Sequence, residues 1–382
     1  MIYYSKRKNF LIKSGGKMFN DYLDKVFCMV LIVFSFSAFI MPYTSKIAKH
    51  IGAIDVPKDN RRVHTKPIPK LGGLGIFSAF LFGYMLFGVQ SIEMNSILIA
   101  SIIIIITGII DDINTLDAKY ELLGQFLASL VITFYGKILL TNLTIPGLNI
   151  EFGILAYPVT IFFILGCTNV IRLIDGLDGL SSGISCIFYL TIGIIAFFQG
   201  RVDTLEITMT FIMLGATFGF LVHNFYPAEL FAGEAGSSFM GFTIAVISLL
   251  GYKGTLLTSV LVPILILSIP ILDTLFAILR RLIKKKPIFE ADKEHFHHQF
   301  LKMHFSQRVT VIFIYVIDIL FSLASIFYAL HDPYKGMVIY FILLILVIWF
   351  VLHTSIISEK VSNKVKTIEE KTKKTVIRRK SK

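Results

Sequence analysis

Charge is scarce in this chain. Only 16% of its 382 residues are Asp, Glu, Lys or Arg, while 55% are apolar. A soluble globular domain carries about 25% charged residues, so a soluble domain and a disordered chain are both excluded. Cysteine is scarcer still. Cys28, Cys167 and Cys186 all fall in apolar stretches, which excludes a disulfide-stapled secreted domain and leaves the redox compartment unread. The N-terminus lacks a short apolar core followed by a small-residue cleavage site, so no cleaved signal peptide is expected. No internal repeat of fixed period stands out.

What is present is a series of long apolar runs. A bilayer span takes about 20 apolar residues, so about eleven spans would use roughly 220 positions and leave about 160 for loops and tails. The windows fall at 23–44, 71–90, 93–112, 119–139, 154–172, 183–199, 205–223, 237–252, 255–281, 309–330 and 335–357. The expected fold is therefore an all-α polytopic membrane protein with about eleven transmembrane helices, and a single-span receptor is excluded. The expected divisions are a basic N-terminal segment at 1–22, a membrane domain at 23–357 and a basic tail at 358–382.

The net charge of +12 would fit a nucleic-acid partner, but its placement argues otherwise. Lys46, Lys49, Lys58, Arg61, Arg62, Lys66 and Lys70 lie in the 45–70 link. Arg280, Arg281, Lys284, Lys285, Lys286, Lys293, Lys302 and Arg308 flank or fill the 282–308 link. With the tail, these segments share one side when about eleven spans are counted, and positive charge marks that side as cytoplasmic. Lys6, Arg7, Lys8, Lys13 and Lys17 would fall on the other side. A start at Met18 would remove all five; an additional interfacial segment is the alternative. No folded reader of nucleic acid is recognisable, and the basic tail suits an anionic leaflet.

Ionisable residues at helix ends of a membrane protein are costly and mark function. Here they gather on the same expected face. Asp111-Asp112 closes the third window, and Asp175-Gly176-Leu177-Asp178-Gly179 follows the fifth, preceded by Asn169 and Arg172. Gly233-Glu234-Ala235-Gly236-Ser237-Ser238 precedes the eighth, and His295, His297 and His298 lie after the ninth. Each group alone has a plain structural reading: an interfacial cap, two tight turns, a flexible link with a helix N-cap, or a polar loop cluster. Together on one face they describe a site. Carboxylates beside glycine turns suit Mg2+, which prefers oxygen ligands and retains phosphate and water. Glycine-rich helix starts offer N–H groups to phosphate, and Lys, Arg and His balance a diphosphate. Phosphoryl transfer between a soluble nucleotide and a lipid phosphate is the natural chemistry. Zinc hydrolysis is weaker, because no H-E-x-x-H helix is present.

These residues carry a resemblance. The chain resembles the polyprenyl-phosphate N-acetylhexosamine-1-phosphate transferases (glycosyltransferase family 4) over roughly 45–305. The matching pieces are Asp55-Val56-Pro57, Arg62-Val63-His64, Pro67 through Gly73, Asp111-Asp112, Asn169, the Asp175 to Leu180 run, Asn224, Pro227-Ala228, Gly233, Gly236-Ser237 and His295-Phe296-His297-His298. The resemblance implies that a UDP-N-acetylhexosamine and undecaprenyl phosphate react, with Mg2+, to give the lipid diphosphate sugar and UMP. It implies catalytic roles for Asp111, Asp112 and Asp178, with Asp111 as a proton acceptor. Substrate contacts fall to Asn169, Arg172, Asp175, His295, His297, His298 and Lys119, and Glu234 is the metal candidate. A bacterial inner-membrane location, a cytoplasmic site and a homodimer complete the expectation.

Three positions depart from the family pattern. Arg172 stands where a second Asn is expected, Glu234 where an Asp is expected, and Glu121 where Lys or Arg is expected. One reading is that Arg172 pairs with Glu234 or Glu121 and moves or partly replaces the metal. Another keeps Glu234 on Mg2+ with Arg172 as a bidentate phosphate donor; a third is an impaired paralogue. A proton-coupled transporter would instead cite Asp273 and Asp318 inside spans. A CDP-alcohol phosphotransferase would need an Asp-Gly-x-x-Ala-Arg run, and here the run continues Leu177-Asp178-Gly179.

Overall fold

The computed structural model describes residues 16–57, 66–145, 147–201, 204–253, 261–283, 300–301, 303, 305–350 and 353. The chain is a multi-pass helical membrane protein. Among the described residues eight helices are long and apolar enough to cross a bilayer. The helices are α1 (Gly16–Ile51), α2 (Gly72–Phe87), α3 (Ile92–Ile113), α4 (Ala118–Leu130), α5 (Ala156–Ile174) and α6 (Leu180–Phe198). They continue with α7 (Leu205–Asn224), α8 (Gly233–Lys253), α9 (Leu261–Ile266), α10 (Ser268–Ile283) and α11 (Gln307–Leu330). Among the described residues, α12 (Pro333–Phe350) follows. With no water to bond peptide groups, lipid-facing chain must close its hydrogen bonds internally, and a helix does so segment by segment.

Every expected window holds helix, but the edges and continuity differ. The 119–139 window holds α4 and then a π-helical turn, Val131–Tyr135. The 255–281 window holds α9 and α10, with Pro263 in one and Pro270 in the other. The first helix runs well past its expected 23–44 limits in both directions.

Two antiparallel ladders were not anticipated. Strands β1 (Ile54–Asp55) and β2 (Ile68–Pro69) pair within the 45–70 link. Strands β3 (Asn142–Ile145) and β4 (Leu148–Glu151) form a hairpin between α4 and α5. Its turn uses Gly147 at φ 84°, and it lies at the opposite end of the bundle from the acidic residues, because it joins the π-helical turn after α4 to the start of α5, whose last turn carries Arg172.

Helix α8 is the axis of the packing. It contacts α2, α3, α5, α6 and α7, and Phe239, Met240, Phe242 and Ile244 are fully enclosed. Phe239 meets Phe77 and Phe80 of α2 edge-on, with ring centroids 5.5 and 5.6 Å apart, a favoured aromatic geometry. Where α3 crosses α8, a Cβ on Gly108 would lie 2.3 Å from Ala235 Cα, so only glycine permits that approach. Small residues at such crossings let helices pack closely where lipid supplies no hydrophobic drive.

Candidate active site

The sharpest local feature is the start of α8. The expected window began at residue 237, but the helix begins at Gly233, so Gly-Glu-Ala-Gly is its first turn and not a link. Its exposed N–H groups are capped from another helix: Glu234 N–H and Ala235 N–H donate to Asp112 Oδ1 and Oδ2 at 3.0 and 3.2 Å. A carboxylate at a helix N-terminus satisfies orphan donors and meets the positive end of the dipole. Lys70 Nζ lies 3.8 Å from Asp112 Oδ1. Gly233 makes this possible. It holds φ at +71°, and a Cβ there would sit 2.4 Å from both Asp112 Oδ2 and the Lys70 carbonyl oxygen. The Lys70 segment is stitched to the same place, since Phe231 N–H donates to Pro69 O, Gly72 N–H to Phe231 O and Gly73 N–H to Ala232 O, each at 2.9 Å.

Asp111, one residue earlier, is also buried. Its Oδ1 accepts from Leu116 N–H, which folds the short link after α3 back on the helix end.

The loop from Asp175 to Gly179 joins α5 to α6 and is held from several directions. Ser181 Oγ donates to Asp175 Oδ1 at 2.6 Å. Ala228 N–H donates to Asp178 Oδ2 at 3.0 Å. Asn224, at the end of α7, accepts from Gly179 N–H at 3.1 Å and Ser182 Oγ at 2.7 Å, and donates to Leu230 O at 3.0 Å. Tyr315 of α11 donates its hydroxyl to Gly179 O. Burial pushes the Asp175 carboxyl from its ordinary 3.8 up to about 7; the Ser181 bond opposes this, while the charges of Glu234 and Asp178 add to it.

Arg172, in the last turn of α5, pairs with two carboxylates on two other helices. Its Nη1 meets Glu121 Oε2 of α4 and lies 3.3 Å from Glu234 Oε2 of α8. The expected pairing with Glu234 or Glu121 is thus found with both. Asn169, one turn earlier, donates from Nδ2 to Gln125 Oε1 at 2.7 Å and to Leu165 O at 2.8 Å.

The structure therefore brings Asp111, Asp112, Asn169, Arg172, Asp175, Asp178 and Glu234 to one end of the bundle. Lys119 is placed apart from their bonds: it is exposed, pairs with Asp117 at 3.3 Å and lies over the Tyr120 ring. His295, His297 and His298 lie outside the described residues. Four contributors escaped the sequence reading: Gln125, Ser181, Ser182 and Tyr315. Gln125 is four residues beyond Glu121, on the same helix face, a spacing that would have exposed it. Ser181 and Ser182 directly follow the aspartate loop. Tyr315 had no local signal.

A Mg2+ ion needs several free, convergent oxygens. Among the described residues no group of three His, Cys, Asp or Glu side chains is placed to hold a metal. Both Asp112 oxygens serve backbone N–H groups, and Glu234 Oε2 serves Arg172. The donor set, as arranged, does not fit a carboxylate-held Mg2+.

Fold and site together define a polytopic membrane protein with a cluster of carboxylates, Lys70 and Arg172 at one end of its helix bundle. A family model described as glycosyl transferase family 4 matches residues 94–252. The chain is 38% identical over 346 residues to a Bacillus subtilis protein named probable undecaprenyl-phosphate N-acetylglucosaminyl 1-phosphate transferase, spanning 88% of this chain and 96% of that one. It is 31% identical over 301 residues to the Mycobacterium tuberculosis (strain H37Rv) decaprenyl-phosphate N-acetylglucosaminephosphotransferase, spanning 71% and 74%. It is 27% identical over 292 residues to the Escherichia coli K12 undecaprenyl-phosphate alpha-N-acetylglucosaminyl 1-phosphate transferase, spanning 75% and 79%. The chain belongs to glycosyl transferase family 4.

Proposed function

We propose that this protein transfers an N-acetylhexosamine-1-phosphate from its UDP-sugar to undecaprenyl phosphate, giving the lipid diphosphate sugar and UMP. The observation that carries the reading is the meeting of helix ends at one site. Asp112 of α3 and Arg172 of α5 both bond to Glu234 of α8, and the Asp175–Asp178 loop that follows α5 lies within electrostatic reach of Glu234. A site on the membrane boundary admits a nucleotide from water and a lipid phosphate from the bilayer.

In the reaction, an oxygen of the lipid phosphate attacks the phosphorus that bears the sugar. The bond from that phosphorus to the bridging oxygen breaks, and UMP leaves with that oxygen. No redox partner is needed. The protein's work is positioning and charge balance. Asp111 makes one described hydrogen bond, to Leu116 N–H, and is the carboxylate assigned to the lipid phosphate. Asp112 is a positioning residue that fixes the start of α8. Asp175 and Asn169 face the nucleotide side, with Gln125 orienting the Asn169 amide. The basic links put this end in the cytoplasm of a bacterial cell, and the product initiates a lipid-linked envelope glycan.

The test incubates membranes bearing the protein with radiolabelled UDP-N-acetylhexosamines and undecaprenyl phosphate. Label is expected in the lipid fraction with release of UMP. Release of UDP, or no transfer from any UDP-amino sugar, would overturn the reading.

A further inference from the structure

Six carboxylates crowd one end of the bundle: Asp111, Asp112, Glu121, Asp175, Asp178 and Glu234. Among the described residues, the cations paired with members of this group are Lys70 and Arg172. Lys70 serves Asp112 at 3.8 Å, a loose contact. Arg172 is different. Its side chain is only 19% exposed, and one nitrogen bridges Glu121 on α4 and Glu234 on α8. A guanidinium cannot lose its proton in a protein and is weakly hydrated, which suits it to a partly buried ion pair. Its Nε is buried and has no hydrogen-bond partner among the described residues. The group is therefore held by charge between two carboxylates and not by a complete hydrogen-bond set.

A divalent cation at a site of this kind does two things: it cancels carboxylate repulsion and draws side chains from separate helices together. Arg172 already does both, tying α4, α5 and α8 through one group. It also engages Glu234 Oε2, so a metal on Glu234 would have only Oε1 free of that contact and would sit beside a fixed positive charge. We propose that Arg172 is the resident cation of this site, taking the place of a divalent metal on Glu234 in the substrate-free protein. This deepens the proposed function in its location but does not depend on which sugar is transferred.

Manganese(II) is the probe, with free ion followed by electron paramagnetic resonance against the purified full-length protein in detergent without substrate. In the wild-type background, Glu234→Gln is expected to leave Mn2+ binding unchanged. Arg172→Asn is expected to gain binding about ten- to hundred-fold tighter than wild type, the scale at which partners of a ligand tune affinity, and Arg172→Asn/Glu234→Gln to lose that gain. Arg172→Gln removes the charge while keeping a longer polar side chain, and guards against a misfolded Asn variant. It is expected to be stabilised by Mg2+ in thermal melts while wild type melts alike in Mg2+ and EDTA. Wild-type Mn2+ binding that Glu234→Gln abolishes would overturn the proposal. So would folded Arg172→Asn and Arg172→Gln proteins that respond to divalent ions no more than wild type. No transfer reaction is read, so failure here and failure of the radiolabel assay strike separate claims.

Discussion

Asp112 gives both carboxylate oxygens to the first N–H groups of α8. An amide in its place can accept one of those bonds only, leaving a buried donor without a partner at a cost of about 1–3 kcal/mol. Asp112→Asn is therefore expected to lower the melting temperature and to reduce transfer by about 100-fold or more, the scale seen when preorganised charge is lost; radiolabel transfer and thermal melts check both. Asp175 offers a pH signature. Its folded value near 7 lies above the unfolded 3.8, so the folded chain keeps a proton that the unfolded chain has shed. Its stabilising contribution is full below about pH 4 and is lost as pH rises to about 7. The wild-type melting temperature should fall relative to Asp175→Asn between about pH 4 and 7, and Ser181→Ala should carry the loss to higher pH, because the Ser181 bond lowers that value. A constant gap between wild type and Asp175→Asn across that range would contradict this.

At the scale of elements, two glycines with similar backbone angles separate conformation from contact. Gly233 at φ +71° faces Asp112 and the Lys70 carbonyl, whereas Gly147 at φ +84° has nothing within 4 Å of a Cβ. Gly147→Ala is expected to cost about 1–2 kcal/mol, the ordinary left-handed penalty. Gly233→Ala should cost clearly more and should also impair transfer, as melts and label incorporation would report. In α11, Asp318 is fully enclosed, and neither of its oxygens nor Ser322 Oγ has a hydrogen-bond partner among the described residues. Asp318→Leu, close in volume, is expected to raise stability by about 1–3 kcal/mol.

These elements also mark what the sequence could convey. The helices were legible because long apolar runs in lipid have one cheap backbone solution, and the acidic motifs because charge at helix ends is rare enough to notice. The start of α8 was not legible. Gly233 to Ser238 reads locally as a link, and it is helical because a carboxylate 122 residues away in sequence caps it. The β3–β4 hairpin is too short to compete with the apolar periodicity around it. Arg172 was visible as a misfit, but that it holds Glu121 and Glu234 at once is a property of three packed helices.

For the molecule as a whole, the two ends make opposite demands. The acidic end, with Lys119 exposed at its margin, belongs to the cytoplasm in this reading, and the β3–β4 hairpin to the other face. In a background lacking the exposed Cys28, Asn149→Cys should react with a membrane-impermeant thiol reagent in intact cells. Lys119→Cys should react only after permeabilisation, and the reverse pattern would invert the whole arrangement. Helix α8 adds a constraint on how such a molecule is made. It is the least apolar of the eight long spans and the most enclosed, so lipid alone is a poor host for it. Its entry into the bilayer during synthesis depends on α2, α3 and α5 being there already to receive it, and a lesion in any of those three should surface first as a failure of biogenesis.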